Sequence, residues 1–264
     1  RWCMMSKAVL VDLVRCMGCR ACQVACKAWN DNPGEVTLCL GCYDNPPDFS
    51  ADTWSLIRFD EVEHNGKLDW VFTKRQCMHC EDPACVNVCT VGALEKTPEG
   101  PVIYHDHKCI GCRYCQYGCP FGVPRFEWDN PLGLIRKCTF CIDRTSAGME
   151  PACVKACPTG ALTFGEREEL ITEAHGRIDD RPEKYVNHVY GEDEAGGTSW
   201  MYISPVPFEE LGFPTLGSEP VTHASEVVTN MTPATIVTVA AGLLGLNWLT
   251  KRRDEVAREK EEQE

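Results

Sequence analysis

Residues 108–119 read KCIGCRYCQYGC, and Pro120 follows. Its four cysteines are spaced C-x2-C-x2-C-x3-C, and the rest of the chain is best read outward from that spacing. Three closely spaced thiols ride on one tight loop, while the fourth starts a helix that points away. Residues 15–26, RCMGCRACQVAC, repeat the stretch with seven identities in twelve. A second kind of stretch also recurs. PACVNVCTVGAL at 83–94 and PACVKACPTGAL at 151–162 share eight identities in twelve. The two kinds alternate in the order A-B-A-B. Only four units, unevenly spaced, argue for duplication of a metal-binding unit rather than a solenoid.

The chain has 264 residues and nineteen cysteines, close to the density of a disulfide scaffold but too long for that class. Sixteen of them form four quartets: Cys16, Cys19, Cys22, Cys26; Cys77, Cys80, Cys85, Cys89; Cys109, Cys112, Cys115, Cys119; and Cys138, Cys141, Cys153, Cys157. Cysteines at C-x2-C are better placed to share a metal than to pair with each other. In the second and fourth quartets the third cysteine is delayed by short inserts, Glu81 to Ala84 and Ile142 to Ala152. Thiolate sites assemble under reducing conditions, so the cofactors are expected to be inserted in the cytosol.

The first and third quartets carry the spacing of bacterial ferredoxins, in which three thiolates reach three corners of a cubane and the fourth ligates the partner cluster. Gly18 and Gly111 sit inside the loops, where positive φ brings backbone amides toward the cluster sulfurs. Cys119-Pro120 and Cys157-Pro158 complete the C-P ending; Cys26-Lys27 and Cys89-Thr90 do not. A single quartet can also be a zinc site. Four linked quartets, two with the ferredoxin run, favour 4Fe–4S cubanes.

Cys3, Cys39 and Cys42 are left over. Cys39-x2-Cys42 reads as an extra ligand pair, a redox dithiol or two small apolar side chains, and the last is expected because every quartet is complete. His79, inside C-M-H-C, is expected beside a cluster rather than on it, and His105 and His107 at a strand end. Arg20, Arg113, Lys137 and Lys155 are candidates for raising cluster potentials, with solvated surface charge as the alternative.

Trp54 to Phe59 and Leu68 to Phe72 are β-rich stretches around Asn65-Gly66, which predicts an inserted hairpin over about 53–74. Residues 166–175 predict a polar amphipathic helix ending near Gly176. Residues 177–228 lack periodicity and read as a loop-rich wrapping or docking arm. Thr232 to Thr250 contains no charge and spans roughly 28 Å as a helix, close to the hydrocarbon core of a bilayer. Pro233 suits its first turn, Trp248 an interface, and Lys251-Arg252-Arg253 follow at once. A charged tail ends the chain. The net charge of −13 excludes an electrostatic footprint for nucleic acid. No secretory signal opens the sequence, although Arg1 is no initiator.

Beyond the quartets, CRACQVACKAWND at 19–31, YDNPPDFSADTW at 43–54, NGKLDW at 65–70, CMHCEDPAC at 77–85, EPACVKACPTGAL at 150–162 and GGTSWMYI at 196–203 are familiar. With them the chain resembles the four-cluster ferredoxin-like subunits of molybdopterin oxidoreductases. Within that group it most resembles the iron–sulfur (beta) subunit of membrane-bound respiratory formate dehydrogenase. Cys42, where an apolar residue is expected, and the missing proline after Cys89 depart from that pattern.

The resemblance implies an α+β fold of two interleaved ferredoxin-like units, each with two 4Fe–4S clusters. Quartets two and three form the inner unit, one and four the outer, all within residues 1–165. A hairpin insertion, an arm at 166–230, one transmembrane helix at 231–250 and a tail at 251–264 complete the expected organisation. Four clusters are implied: the first on Cys16, Cys19, Cys22 and Cys157; the second on Cys77, Cys80, Cys85 and Cys119; the third on Cys89, Cys109, Cys112 and Cys115; the fourth on Cys26, Cys138, Cys141 and Cys153. No catalytic residue is expected on this chain. Implied partners are a molybdopterin catalytic subunit, a membrane cytochrome b or quinone-reactive subunit and membrane lipid, with no nucleic acid. The same wire serves hydrogenases and polysulfide, nitrate or sulfoxide reductases. The positive flank of the last helix places the cluster domain outside the cytoplasm, with the cytoplasmic face as the alternative.

Overall fold

The computed structural model describes residues 6–38, 41, 43–64 and 66–261. Cys3, Cys39, Cys42 and Asn65 lie outside them. The chain divides into two compact units, Arg1–Val221 and Thr222–Glu264. Along the first unit run β1 (Lys7–Asp12), α1 (Ala21–Trp29), β2 (Ser55–His64), β3 (Lys67–Gln76) and α2 (Ala84–Asn87). Then come β4 (Leu94–Lys96), β5 (Val102–Tyr104), α3 (Tyr114–Tyr117), β6 (Arg125–Phe126), β7 (Ile135–Arg136), α4 (Ile142–Thr145) and α5 (Ala152–Lys155). β8 (Leu162–Glu166), α6 (Arg167–Asp180) and β9 (Trp200–Ile203) complete it, and α7 (His223–Glu261) forms the second unit.

The continuous apolar run Ala8 to Val11 becomes the middle strand of a three-stranded sheet, order β8-β1-β9. It is apolar throughout because both faces are covered. Val9 and Val11 join Trp200 and Tyr202 on the face toward the hairpin. Ala8 and Leu10 join Met201 and Ile203 on the face under α6. β1 pairs antiparallel with β8 and parallel with β9, Val9 lying opposite Phe164 and Trp200. The stretch read as a loop-rich arm is largely irregular, yet it supplies β9, one of the most buried strands in the protein. Sequence periodicity missed it because a strand of four residues is too short to show an alternation.

α6 presents Leu170, Ala174 and Ile178 to the sheet at helical spacing, with Glu168 and Glu169 at its positive end. It does not stop near Gly176. A Cβ there would meet nothing, so glycine costs only its propensity, about 1 kcal/mol, and the helix runs on to Asp180, just before Arg181-Pro182. Arg177 ties it to β1, its Nη1 donating to buried Asp12 Oδ2 at 3.0 Å.

β2 and β3 form the expected hairpin, paired from Ser55–Gln76 to His64–Lys67. It is no appendage. Phe59 and Phe72 face each other across it at 5.1 Å, and a Cβ added to Gly18 would strike Phe72 at 2.9 Å. The hairpin therefore closes over the first cysteine loop.

α7 begins before the expected Thr232 and continues beyond Thr250, so Pro233 lies inside it rather than in its first turn. The stretch Ser225–Arg258 is long and apolar enough to cross a membrane. Ile236, Val237, Leu243, Leu244 and Trp248 on it are each more than 60% exposed. Its threonines are suited to an apolar solvent. Thr229, Thr232, Thr235, Thr238 and Thr250 each donate a hydroxyl to the carbonyl four residues back.

Candidate metal centres

The first C-x2-C pair of each quartet forms one tight loop, and the third position of that loop lies in the left-handed region. Gly18 and Gly111 have φ 68°, as their missing Cβ allows, but His79 has φ 49° and Phe140 φ 60°. The amide is what the conformation serves. Gly111 N donates to Cys109 Sγ at 3.4 Å and Phe140 N to Cys138 Sγ at 3.4 Å. Arg20 and Arg113, the residues just before α1 and α3, are left-handed too, at φ 60° and 65°. The duplication seen in sequence is thus duplicated in backbone geometry.

The sixteen quartet cysteines are all free thiols. Cys16, Cys19, Cys22 and Cys157 line one cavity. Cys89, Cys109, Cys112 and Cys115 line another. Cys80 lies within the electrostatic reach of Cys77, Cys119 and Cys85. Cys26 lies within reach of Cys153 and Cys141, and Cys138 of Cys26 and Cys141. Cys157 thus sits with the first three cysteines of the first quartet and Cys89 with those of the third, so the fold brings different quartets together. Among the described residues no three His, Cys, Asp or Glu side chains close on a single ion.

Burial pushes the thiols of Cys22, Cys26, Cys85 and Cys115 up to about 12 and that of Cys141 up to about 11, with neighbouring cysteines adding to it. A thiol pushed up this far is neutral at neutral pH until a metal cation takes its sulfur as a ligand. This donor set, all sulfur with amides aimed at it, fits iron–sulfur cubanes. Cys157 differs. Burial alone would raise its thiol, but hydrogen bonds from Thr159 and the amides of Leu162 and Ala161 hold it below the ordinary value.

His79 is fully buried. Its Nδ1 accepts the Val102 amide at 2.9 Å, and burial, with Lys137 and Lys96 nearby, holds its pKa well below the ordinary value. His105 caps the end of β5, paired with Glu95 at 2.9 Å. Arg20 lies over Phe59 and Arg113 over Trp128, at 4.6 and 4.8 Å from the ring centres. Lys155 is exposed, whereas Lys137 is buried and donates to the Val102 and Cys138 carbonyls at 2.5 and 3.0 Å.

One buried cation was not legible from the loops. Lys74 of β3 is 1% exposed and lines the cavity of Cys16, Cys19, Cys22 and Cys157. Its Nζ donates to Ser55 Oγ at 2.9 Å and Gln76 Oε1 at 2.8 Å and lies 4.5 Å from the Trp200 ring centre. Full burial works against its charge, but its electrostatic interaction with the neighbouring cysteine sulfurs, Cys153 and Cys22 first, raises its pKa above the ordinary value. Only its place three residues before Cys77 marks it in the sequence.

Comparison with known proteins agrees with this geometry. Residues 15–93 and 68–167 each match a family model described as a 4Fe-4S dicluster domain. The nitrate-inducible formate dehydrogenase iron-sulfur subunit of Escherichia coli (strain K12) is 47% identical over 199 residues, 74% of this chain and 67% of that protein. The formate dehydrogenase iron-sulfur subunit of Haemophilus influenzae is 45% identical over 74% of this chain and 64% of that protein. The hydrogenase-2 operon protein HybA of Escherichia coli O157:H7 is 35% identical over 94% of this chain and 84% of that protein. With two dicluster domains and sixteen grouped thiols, the chain belongs to the family of four-cluster 4Fe–4S electron-transfer subunits that includes the formate dehydrogenase iron–sulfur subunits.

Proposed function

We propose that the chain is the electron wire between a molybdopterin-containing formate dehydrogenase subunit and a membrane cytochrome b or quinone-reactive subunit. When bound, each cluster accepts and returns one electron; the chain holds the clusters, excludes water and sets their order. The ligand sets are those implied by the family: Cys16, Cys19, Cys22, Cys157; Cys77, Cys80, Cys85, Cys119; Cys89, Cys109, Cys112, Cys115; and Cys26, Cys138, Cys141, Cys153. One observation carries the reading, the succession of thiols acting on each other across set boundaries. Cys22 feels Cys153, Cys138 feels Cys77, and Cys85 feels Cys115. That gives a line from the first set through the fourth and second to the third.

The residues outside the sets act as frame. Residues 1–165 hold the clusters, and the arm at 166–230 braces them, the Ser199 and Trp200 amides donating to Met78 O at 3.1 and 3.2 Å beside the second set. α7 anchors the chain in lipid, with Lys251, Arg252 and Arg253 in the cytoplasm and the cluster unit on the other side.

The test is anaerobic purification through this chain, identification of the large subunit that accompanies it, and addition of formate. Bleaching of the visible cluster absorption by formate, with a molybdopterin subunit present, is expected. Bleaching by hydrogen and not by formate would replace this reading with a hydrogenase complex.

A further inference from the structure

Lys74 sits on the inserted hairpin, outside every cysteine loop, yet its ammonium is fully buried against the first set of thiols. Among the described residues its hydrogen-bond partners, Ser55 and Gln76, are neutral, and no carboxylate pairs with it. The site is built rather than accidental. Gln76 Nε2 donates to the Tyr202 hydroxyl at 2.5 Å, which donates in turn to Lys74 O at 3.1 Å, and the Trp200 face closes the remaining side. A buried cation without its counter-charge is costly, so its counter-charge must lie nearby. The groups that act on it include the sulfurs of Cys153 and Cys22, one from the fourth set and one from the first, and these are anionic when they hold a cluster.

We propose that Lys74 is a fixed positive charge shared by the first and fourth clusters, raising their reduction potentials relative to the other two and so favouring the electron at that end of the wire. This rests on the ligand sets above. Reduction of a cubane adds one electron and one negative charge, breaks no bond and moves no proton: Nζ keeps its three hydrogens. A fixed cation beside the cluster stabilises the reduced form more than the oxidised one. Lys74 is therefore a positioning residue that acts through charge.

Potential-poised electron paramagnetic titration of the purified complex tests it, with Cys157→Ser used to assign the first cluster's signal. In Lys74→Met, with iron at the wild-type level, the reduced-to-oxidised ratio of the first and fourth clusters at a given potential should fall about tenfold, a midpoint shift of about 59 mV for a one-electron couple. Lys74→Arg keeps the charge and should keep the midpoints. Gln76→Glu sets a carboxylate beside Nζ and should shift them in the same direction as Lys74→Met. Unchanged midpoints in Lys74→Met, or a shift confined to the clusters of Cys77 and Cys109, would overturn the proposal. Should Lys74→Met fail to assemble, unchanged midpoints in Gln76→Glu overturn it. Wild-type complex with fewer than four clusters overturns the ligand sets first, a failure distinct from that of the charge.

Discussion

His79 and Phe140 occupy the same position in two different C-x2-C loops and pack edge to face, their ring centroids 5.0 Å apart. At the matching position the other two loops have Gly18 and Gly111. A side chain in the left-handed region costs about 1–2 kcal/mol, which glycine avoids. Here the chain accepts that cost at two loops because the rings fill the core where those loops meet.

That relationship sets the outcome of Phe140→Gly. Relief of backbone strain returns about 1–2 kcal/mol, but loss of a fully buried phenyl ring costs about 3–5 kcal/mol. The variant should be less stable by about 2 kcal/mol and lose its visible cluster absorption at a lower temperature. A variant as heat-stable as the wild type would mean that the ring contributes no packing.

Removing a ligand tests the sets directly. This chain should hold about sixteen irons and as much acid-labile sulfide, four per cubane, besides any haem iron of a cytochrome b partner. Cys157→Ser should damage the cluster of Cys16, Cys19 and Cys22, although Cys157 is nearer in sequence to Cys138 and Cys141. Damage confined to the cluster of Cys138 and Cys141, or about eight irons in the wild type, would sink the interleaved assignment.

Cys39 and Cys42 lie outside the four quartets in sequence and are expected to take no part in cluster binding. The double variant Cys39→Ala/Cys42→Ala should keep its iron content and its paramagnetic spectrum. Loss of one cluster signal is the result that would refute this.

Topology is open to proteolysis. With Lys251, Arg252 and Arg253 in the cytoplasm, protease added to intact spheroplasts should digest the cluster unit and spare the tail. A cut tail with a surviving cluster unit would reverse the orientation.

Gly18 offers a local test of the hairpin's role. Gly18→Ala adds a Cβ at φ 68° and brings it to 2.9 Å from Phe72. Both effects disfavour the first loop, so the first cluster's signal should weaken while the third remains. Phe72→Leu in the same chain should restore part of the signal, and equal loss with and without it would leave backbone strain as the sole cause.

Much of this architecture was local in origin and therefore legible. Cysteine spacing fixed the number of metal-binding loops, glycine marked two of their left-handed turns, and Gly66 with its β-rich flanks marked the hairpin. The uncharged stretch from Thr232 marked a helix, though not its ends: helix propagates through Pro233 and Arg253 once begun, and chemical composition alone sets no cap there. What stayed hidden depends on residues distant in sequence. The two family models match overlapping stretches, 15–93 and 68–167, yet Cys157 lines a cavity with Cys16, because β8 returns beside β1 and brings the end of the fourth quartet to the first. β9 was invisible for a similar reason, its four residues being stabilised by β1 and the hairpin rather than by propensity. Lys74 reads in sequence as one more charge on a strand. Only packing against Trp200, Ser55 and Gln76 removes it from water and sets it beside the cysteine cavity, and burial of that kind is decided by the whole fold.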